Sequence, residues 1–259
     1  MQVVAIDNWQ EESPELVQGL AEVLGISVYE ARQRMIGNGP AVVASPAEPK
    51  RALALAEELR RLGFATVIVD GGALGEDGRV EVRRFRFRDL SLLIESREGR
   101  LAEIPYTEIA ILLAVGSVVE SSETKTFTER KLSIGKTLAT GGVPMFSKKE
   151  HQEKHTVEER GKLLYLHANG RPVLVFSQSG LVYDGLGDAM QLSRELNFAL
   201  LQSELRRCCP NAVFDDRLLN RLAQVRLLGP TLNPENNLDL AAKILARSLR
   251  PEESERSGG

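Results

Sequence analysis

The chain has 259 residues, 42% hydrophobic and 27% charged, with a formal net charge of −3. That balance fits a globular protein of about two domains and excludes collagen-like and intrinsically disordered classes. No apolar run approaches the roughly 20 residues of a membrane-spanning helix. Two adjacent cysteines, Cys208 and Cys209, exclude a disulfide framework and predict a reducing compartment.

Residues 1–7 (MQVVAID) read as a strand. Ser13-Pro14 then opens a helix, with Ser as cap and Pro at the first helical position, where no amide bond is lost. Leu16, Val17, Leu20, Ala21, Val23 and Leu24 recur on one face, and Gly25 ends it. Ser27-Val28-Tyr29-Glu30 reads as a capping box, opening a second helix with Val28, Ala31 and Met35 inward. A short strand at 41–44 follows. Ser45-Pro46-Ala47-Glu48 repeats the capping pattern before a longer helix with Leu53, Ala56, Leu59 and Leu62 on its inner side. Gly63 stops that helix, and 64–70 (FATVIVD) is a β-branched strand. The unit is strand–helix–helix–strand–helix–strand, with helices over one sheet face.

The run GISVYEARQRMIGNGPAVVASPAEPKRALALAEELRRLGFATVIV resembles the C-terminal domain of the bacterial ribosomal stalk protein. Gly25, the Glu30-Ala31 pair, Arg32, Pro40 and the strand–helix–Gly–strand ending fall in the same order. The degron adaptor of the Clp protease shares that general fold, but its histidine-bearing motif is absent here. The stalk protein's dimerising helices and hinge are also missing, and Tyr29 stands where that family usually has a lysine. The resemblance therefore implies a fold and a partner-holding helical surface rather than a ribosomal role.

Residues 71–78 (GGALGEDG) read as a linker. Residues 1–78 carry six Lys/Arg against twelve Asp/Glu, and the rest carries 27 against 24. An acidic module is thus joined to a mildly basic one, which argues against nucleic acid as a partner of the first.

Beyond the linker the pattern turns to β. In 80–88, Arg84, Arg86 and Arg88 alternate with Phe85 and Phe87, as in a strand buried on one side. Segments 90–95 and 101–104 flank a turn at 97–100, and 109–118 is strongly apolar. Segments 163–167 and 173–176 flank Asn169-Gly170, a hairpin signal. A long helix is predicted from about 188 to 207, with Leu192, Leu196, Ala199, Leu200 and Leu205 as its core stripe. Shorter helices follow near 215–228 and 234–249, then a disordered tail at 251–259. The meander of strands closed by a helix resembles the bacterial pleckstrin-homology-like fold. Between the strands, 120–160 is rich in Thr, Ser, Glu and Lys. It reads either as two long polar strands joined by a helical turn near 134–140, forming an arm, or as a solvated loop.

Few motifs carry chemistry. Gly135-Lys136-Thr137 lacks the earlier glycine of a phosphate loop, since Arg130 occupies that place. Gly185-Leu186-Gly187 lacks the third glycine of a dinucleotide site. His151 and His155 would share a helical face, but two ligands fall short of a stable metal site. Cys208 and Cys209 lie beside Arg206 and Arg207, which can lower a thiol pKa, yet no His or Asp is near them in sequence.

The expected architecture is α+β. A small α/β sandwich (1–70) and the linker precede a larger, mainly antiparallel β domain (79–210, arm 120–160), with C-terminal helices at 211–250. The leading functional expectation is a non-enzymatic, cytoplasmic bacterial adaptor without cofactor, metal or catalytic residues. Its protein-binding face would be Tyr29, Arg32, Gln33, Arg34 and Met35. The alternative is a peripheral membrane or anionic-ligand module using Arg84, Arg86 and Arg88, aided by Lys125, Lys131, Lys136, Lys148 and Lys149. Homo-oligomerisation would run through the arm.

Overall fold

The computed structural model describes the backbone of residues 1–9, 13–37, 39–71, 78–132 and 146–250, with side chains outside 118–160. Two compact units emerge, one of Met1–Ser117 with Gly161–Gly259 and one of Val118–Arg160. The protein is α+β, with a three-stranded and a seven-stranded sheet.

The small sheet has β1 (Gln2–Asp7) in the middle, antiparallel to β2 (Ala41–Ala44) and to β3 (Ala65–Asp70). Three helices connect these strands: α1 (Pro14–Leu24), α2 (Val28–Met35) and α3 (Pro49–Arg61). The expected caps form on the first two. Ser13 accepts from the Leu16 amide, Ser27 and Glu30 form a reciprocal capping box, and Gly25 closes α1 at φ +65°. On α3 the cap is different. The helix starts at Pro49, Glu48 makes no side-chain cap bond, and the Ser45 hydroxyl is buried without a partner among the described residues. Ala52, Ala56 and Leu59 face inward, whereas Leu53 is 55% exposed, one position off the predicted stripe. Val28 likewise points outward as the first residue of α2.

Val4 and Ile6 of β1 pack with Val17, Leu20, Ala31, Met35, Ala56 and Leu59 into one core, with Trp9 edge-on to Phe64 at 6.0 Å. Val3 and Ala5, on the opposite face by strand alternation, belong to a second core.

The large sheet contains β4 (Arg79–Phe87), β5 (Ser91–Ser96), β6 (Leu101–Pro105), β7 (Ile109–Leu132), β8 (Phe146–Ala168), β9 (Val173–Ser177) and β10 (Val213–Asp215). Its order is β10-β7-β8-β9-β4-β5-β6. The β4/β5, β5/β6 and β8/β9 pairs are antiparallel, whereas β4/β9 and β10/β7 are parallel. A bulge between Val82 and Arg84 turns Arg83 and Arg84 both outward and returns Phe85 to the core. Residues 120–132 and 146–160 lie in β7 and β8, and the turn expected near 134–140 lies outside the described residues.

One face of this sheet gathers Val82, Phe85, Leu92, Ile94, Leu164 and Phe176 beneath α4 (Arg194–Cys208). That helix starts later than predicted. Residues 184–189 form a 3-10 segment, and Asn197 is buried with its side-chain amide on both backbone groups of Gln191 (2.6 and 2.9 Å). The inward stripe is Phe198, Leu201 and Leu205. Leu192 and Leu196, expected inside, are exposed, and so is Ala199.

The other face meets α5 (Arg221–Leu228) and α6 (Pro234–Leu249). Their residues Leu227, Leu228, Leu240, Ala241, Ala242, Ile244, Leu245 and Ala246 share one core with Ile111, Leu113, Val115, Tyr165 and Val175 of the large sheet. The same core holds Val3, Ala5, Val42 and Val69 of the small one. The C-terminal helices are thus the filling between two sheets, and within Met1–Ser117 and Gly161–Gly259 the layers run α/β/α/β/α. Gln224 is buried in that middle layer and donates to the Gly116 and Leu218 carbonyls, each at 2.7 Å. No helix among the described residues is long and apolar enough to cross a membrane.

Candidate functional site: a cationic cleft under the C-terminal helix

Strand alternation places Tyr165 and His167 on the face of β8 that looks toward α6. The β8/β9 and β4/β9 registers set Tyr165 opposite Val175 and Arg79 opposite Val173. Three adjacent strands therefore present Tyr165, His167, Val173 and Arg79 to the same helix. On α6 the matching residues are Asp239, Lys243 and Arg247 at intervals of four, with Ala242 and Ala246 between them. Residues at that spacing lie along one side of a helix, and Arg250 follows the last turn. Together these side chains enclose a cleft of about 270 Å³.

Asp239 is the hub. Arg79 Nη1 reaches Asp239 Oδ2 at 2.5 Å, and the Tyr165 hydroxyl donates to Asp239 Oδ1. Arg79 Nη2 lies 3.1 Å from Glu81, whose other oxygen takes Arg97 at 2.7 Å. Burial, and then the Asp239 charge, raise the Tyr165 phenol far above its ordinary range, so it stays a neutral donor. Lys243 donates to the Asp70 carbonyl at 3.5 Å and Arg247 to the Ile68 carbonyl, tying α6 to β3.

Two polar atoms in this wall have no partner among the described residues. Arg79 Nε and His167 Nε2 are both buried and unbonded, and His167 as a whole is only 6% exposed. Buried polar groups are ordinarily satisfied, and one left alone costs about 1–3 kcal/mol. Burial, assisted by the Arg250 charge, depresses the His167 pKa to about 4, so the ring is neutral at physiological pH. Lys243 is lowered by desolvation and by Arg247. For both residues burial is the larger cause and the neighbouring arginine the smaller one.

The residues singled out in the sequence lie elsewhere. Tyr29 is 72% exposed, and Arg32 and Gln33 are exposed beside it on α2. Met35 is 2% exposed in the core, so it cannot contribute to a surface; its position one turn below Ala31 faces it inward. Arg34 is half-buried and donates to the Val42 carbonyl at 3.1 Å, fastening α2 to β2. Arg84 and Arg86 point outward from β4, and Arg88 pairs with Glu103 at 3.2 Å. None of these three lines the cleft.

Cys209 is buried, and burial followed by its neighbour Cys208 pushes its thiol up to about 12, the opposite of an activated nucleophile. Gly185 has a packing role, since a Cβ there would come 1.9 Å from the Phe85 carbonyl oxygen. The side chains of His151, His155 and the lysines between 125 and 149 lie outside the described residues. Among the described residues no group of three His, Cys, Asp or Glu side chains is placed to hold a metal ion.

The cleft residues were missed because they are dispersed. The available signal was the Lys243–Arg247–Arg250 series along a helix whose alanines mark close approach to something. Comparison of the chain with family models, curated proteins and solved structures returned no match.

Proposed function

We propose that this protein is a non-catalytic module that binds an anionic small molecule in the cleft between α6 and strands β4, β8 and β9. The observation that carries this reading is the pair of unpartnered buried nitrogens, Arg79 Nε and His167 Nε2, in a wall shared with Lys243, Arg247 and Arg250. An anion entering there would meet Arg79 already held by Asp239 and Glu81, and Lys243 and Arg247 already held by the Asp70 and Ile68 carbonyls, so less ordering would remain to oppose binding. The strand wall of this site lies in the 79–210 region and its helix wall in the C-terminal helices, and it does not include Arg84, Arg86 or Arg88.

The test is a thermal-shift titration with a panel of small anions at constant ionic strength. Wild type should be stabilised by at least one anion. Arg250→Gln, altering an exposed residue, should lose that stabilisation, whereas Arg86→Gln should keep it. Equal responses in wild type and Arg250→Gln would remove the cleft from consideration.

A second reading rests on α2, where Tyr29 is exposed next to Arg32 and Gln33 on an otherwise acidic segment. Exposed aromatics beside basic residues are enriched where proteins bind each other. On this reading the domain holds a protein partner. Tyr29→Ala combined with Gln33→Glu should abolish its recovery in a pull-down, and undiminished recovery would reject the surface.

A further inference from the structure

Building on the anion-binding reading above, we infer that the group bound in the cleft is a phosphomonoester dianion, with His167 donating to it from Nε2. Charge is the first argument. Arg79, Lys243, Arg247 and Arg250 line the cavity. The carboxylates they face are Asp239, Glu81 and Asp70, and Glu81 is shared with Arg97. Of the charged side chains lining the cavity among the described residues, four are cations and one, Asp239, is a carboxylate. A phosphoryl dianion offsets more of that excess than the single charge of a carboxylate does.

Shape is the second argument. The donors arrive from three directions: Arg79 from β4, His167 from β8, and Lys243, Arg247 and Arg250 from α6 and its end. A planar carboxylate is met by a fork in one plane, whereas converging donors suit the three terminal oxygens of a tetrahedral group. The third argument is His167 itself. A neutral imidazole with a buried, unpartnered Nε2 either loses a donor bond or carries a bare lone pair among arginines and a lysine. Placing the proton on Nε2 and a phosphoryl oxygen opposite it satisfies the atom while the ring itself stays uncharged.

The cavity's size allows the ester portion to continue outward. Arg79 and Asp239 also line a neighbouring groove of about 1020 Å³ with Val80, Ile94, Ala102 and Ile104 on its walls. The ester could be a soluble metabolite or a lipid whose head is a phosphomonoester, since the recognised group is the same in both.

The experiment is calorimetric titration of the full chain at neutral pH with inorganic phosphate and, separately, acetate, alongside flotation with vesicles containing phosphatidic acid. Phosphate should bind at least about tenfold more tightly than acetate, as expected for charge-assisted contacts to a dianion. Arg250→Gln should erase the difference. In a long-range ¹H–¹⁵N spectrum, the His167 ring nitrogens should move on phosphate addition while those of His151 and His155 stay. Co-flotation that Arg250→Gln abolishes assigns the ester to a lipid, and its absence with retained phosphate binding assigns it to a soluble compound. Equal affinity for acetate and phosphate, or an unmoved His167, overturns the dianion while leaving anion binding intact. Failure of both anions to bind overturns the anion reading as well.

Discussion

The small sheet is covered on both faces by helices, and the two covers are built on opposite plans. On one side α1, α2 and α3 come from the same 70 residues as the strands they cover and bury one stripe each, such as Val17, Leu20 and Ala21. On the other side α6 arrives from the far end of the chain and is buried almost all round, with Leu240, Ala241, Ala242, Ile244, Leu245 and Ala246 all inside. A helix buried on one stripe stabilises one sheet; a helix with apolar residues on two sides needs a neighbour on each. Here α6 has two, and the small sheet and the large sheet therefore share a core.

That difference makes the strongest test. Ile244 is fully buried in the shared core, and Ile244→Ala should cost about 2–5 kcal/mol. The single tryptophan, Trp9, lies in the other core, among residues of the first 70. If the layers unfold together, the urea midpoint followed by Trp9 fluorescence should fall as far as that followed by circular dichroism. A Trp9 transition unmoved by Ile244→Ala would mean that the first 70 residues unfold independently, and the shared core would not couple the two sheets.

The next effect is about 3 kcal/mol and belongs only to the α6 side. His167 titrates at about 4 when folded, against an ordinary 6.5. Above pH 6.5 the ring is neutral in both states and its contribution to stability is fully present. As pH falls from 6.5 toward 4, the unfolded chain takes up a proton that the folded chain refuses, and stability declines by about 1.36 kcal/mol per pH unit. Below about 4 the loss levels off. Urea midpoints measured across that window should show the decline in wild type and a shallower one in His167→Gln. Parallel curves would mean that carboxylates alone account for the acid sensitivity.

The two plans also explain what the sequence disclosed. Caps and helix stops act through residues three or four positions away, so Ser13, Ser27, Glu30 and Gly25 announce α1 and α2 without knowledge of the fold. The strands of the large sheet were legible for a related reason: alternation and turn residues such as Gly99 at φ +81° are local. Helix faces were less so. Leu53 and Leu196 fit a helical repeat, yet each lies on the exposed side, because which side is inner depends on where the sheet runs. The cleft was least legible of all. Arg79 meets Asp239 across 160 residues and Tyr165 meets it across 74. A dispersed site of that kind has no spacing to read, and the cation series on α6 looks like any solvated helix face until β4 and β8 are placed against it.

The smallest effect sharpens the comparison within the local side. Ser27 and Ser45 both precede a helix and both looked like caps. Ser27 accepts from the Glu30 amide at 3.2 Å, and Glu30 answers by accepting from the Ser27 amide at 2.9 Å. Ser27→Ala should therefore cost about 1 kcal/mol through two exposed amide groups. Ser45 stands four residues before α3 and its hydroxyl is buried without a partner among the described residues. Replacing it removes a polar atom that already lacks its hydrogen bond, so Ser45→Ala should be neutral or slightly stabilising. Denaturant midpoints of the two variants, measured side by side, decide the matter. A loss at Ser45→Ala as large as that at Ser27→Ala would mean that the Ser45 hydroxyl caps α3 in solution, and that all three helices on this face start by the same device.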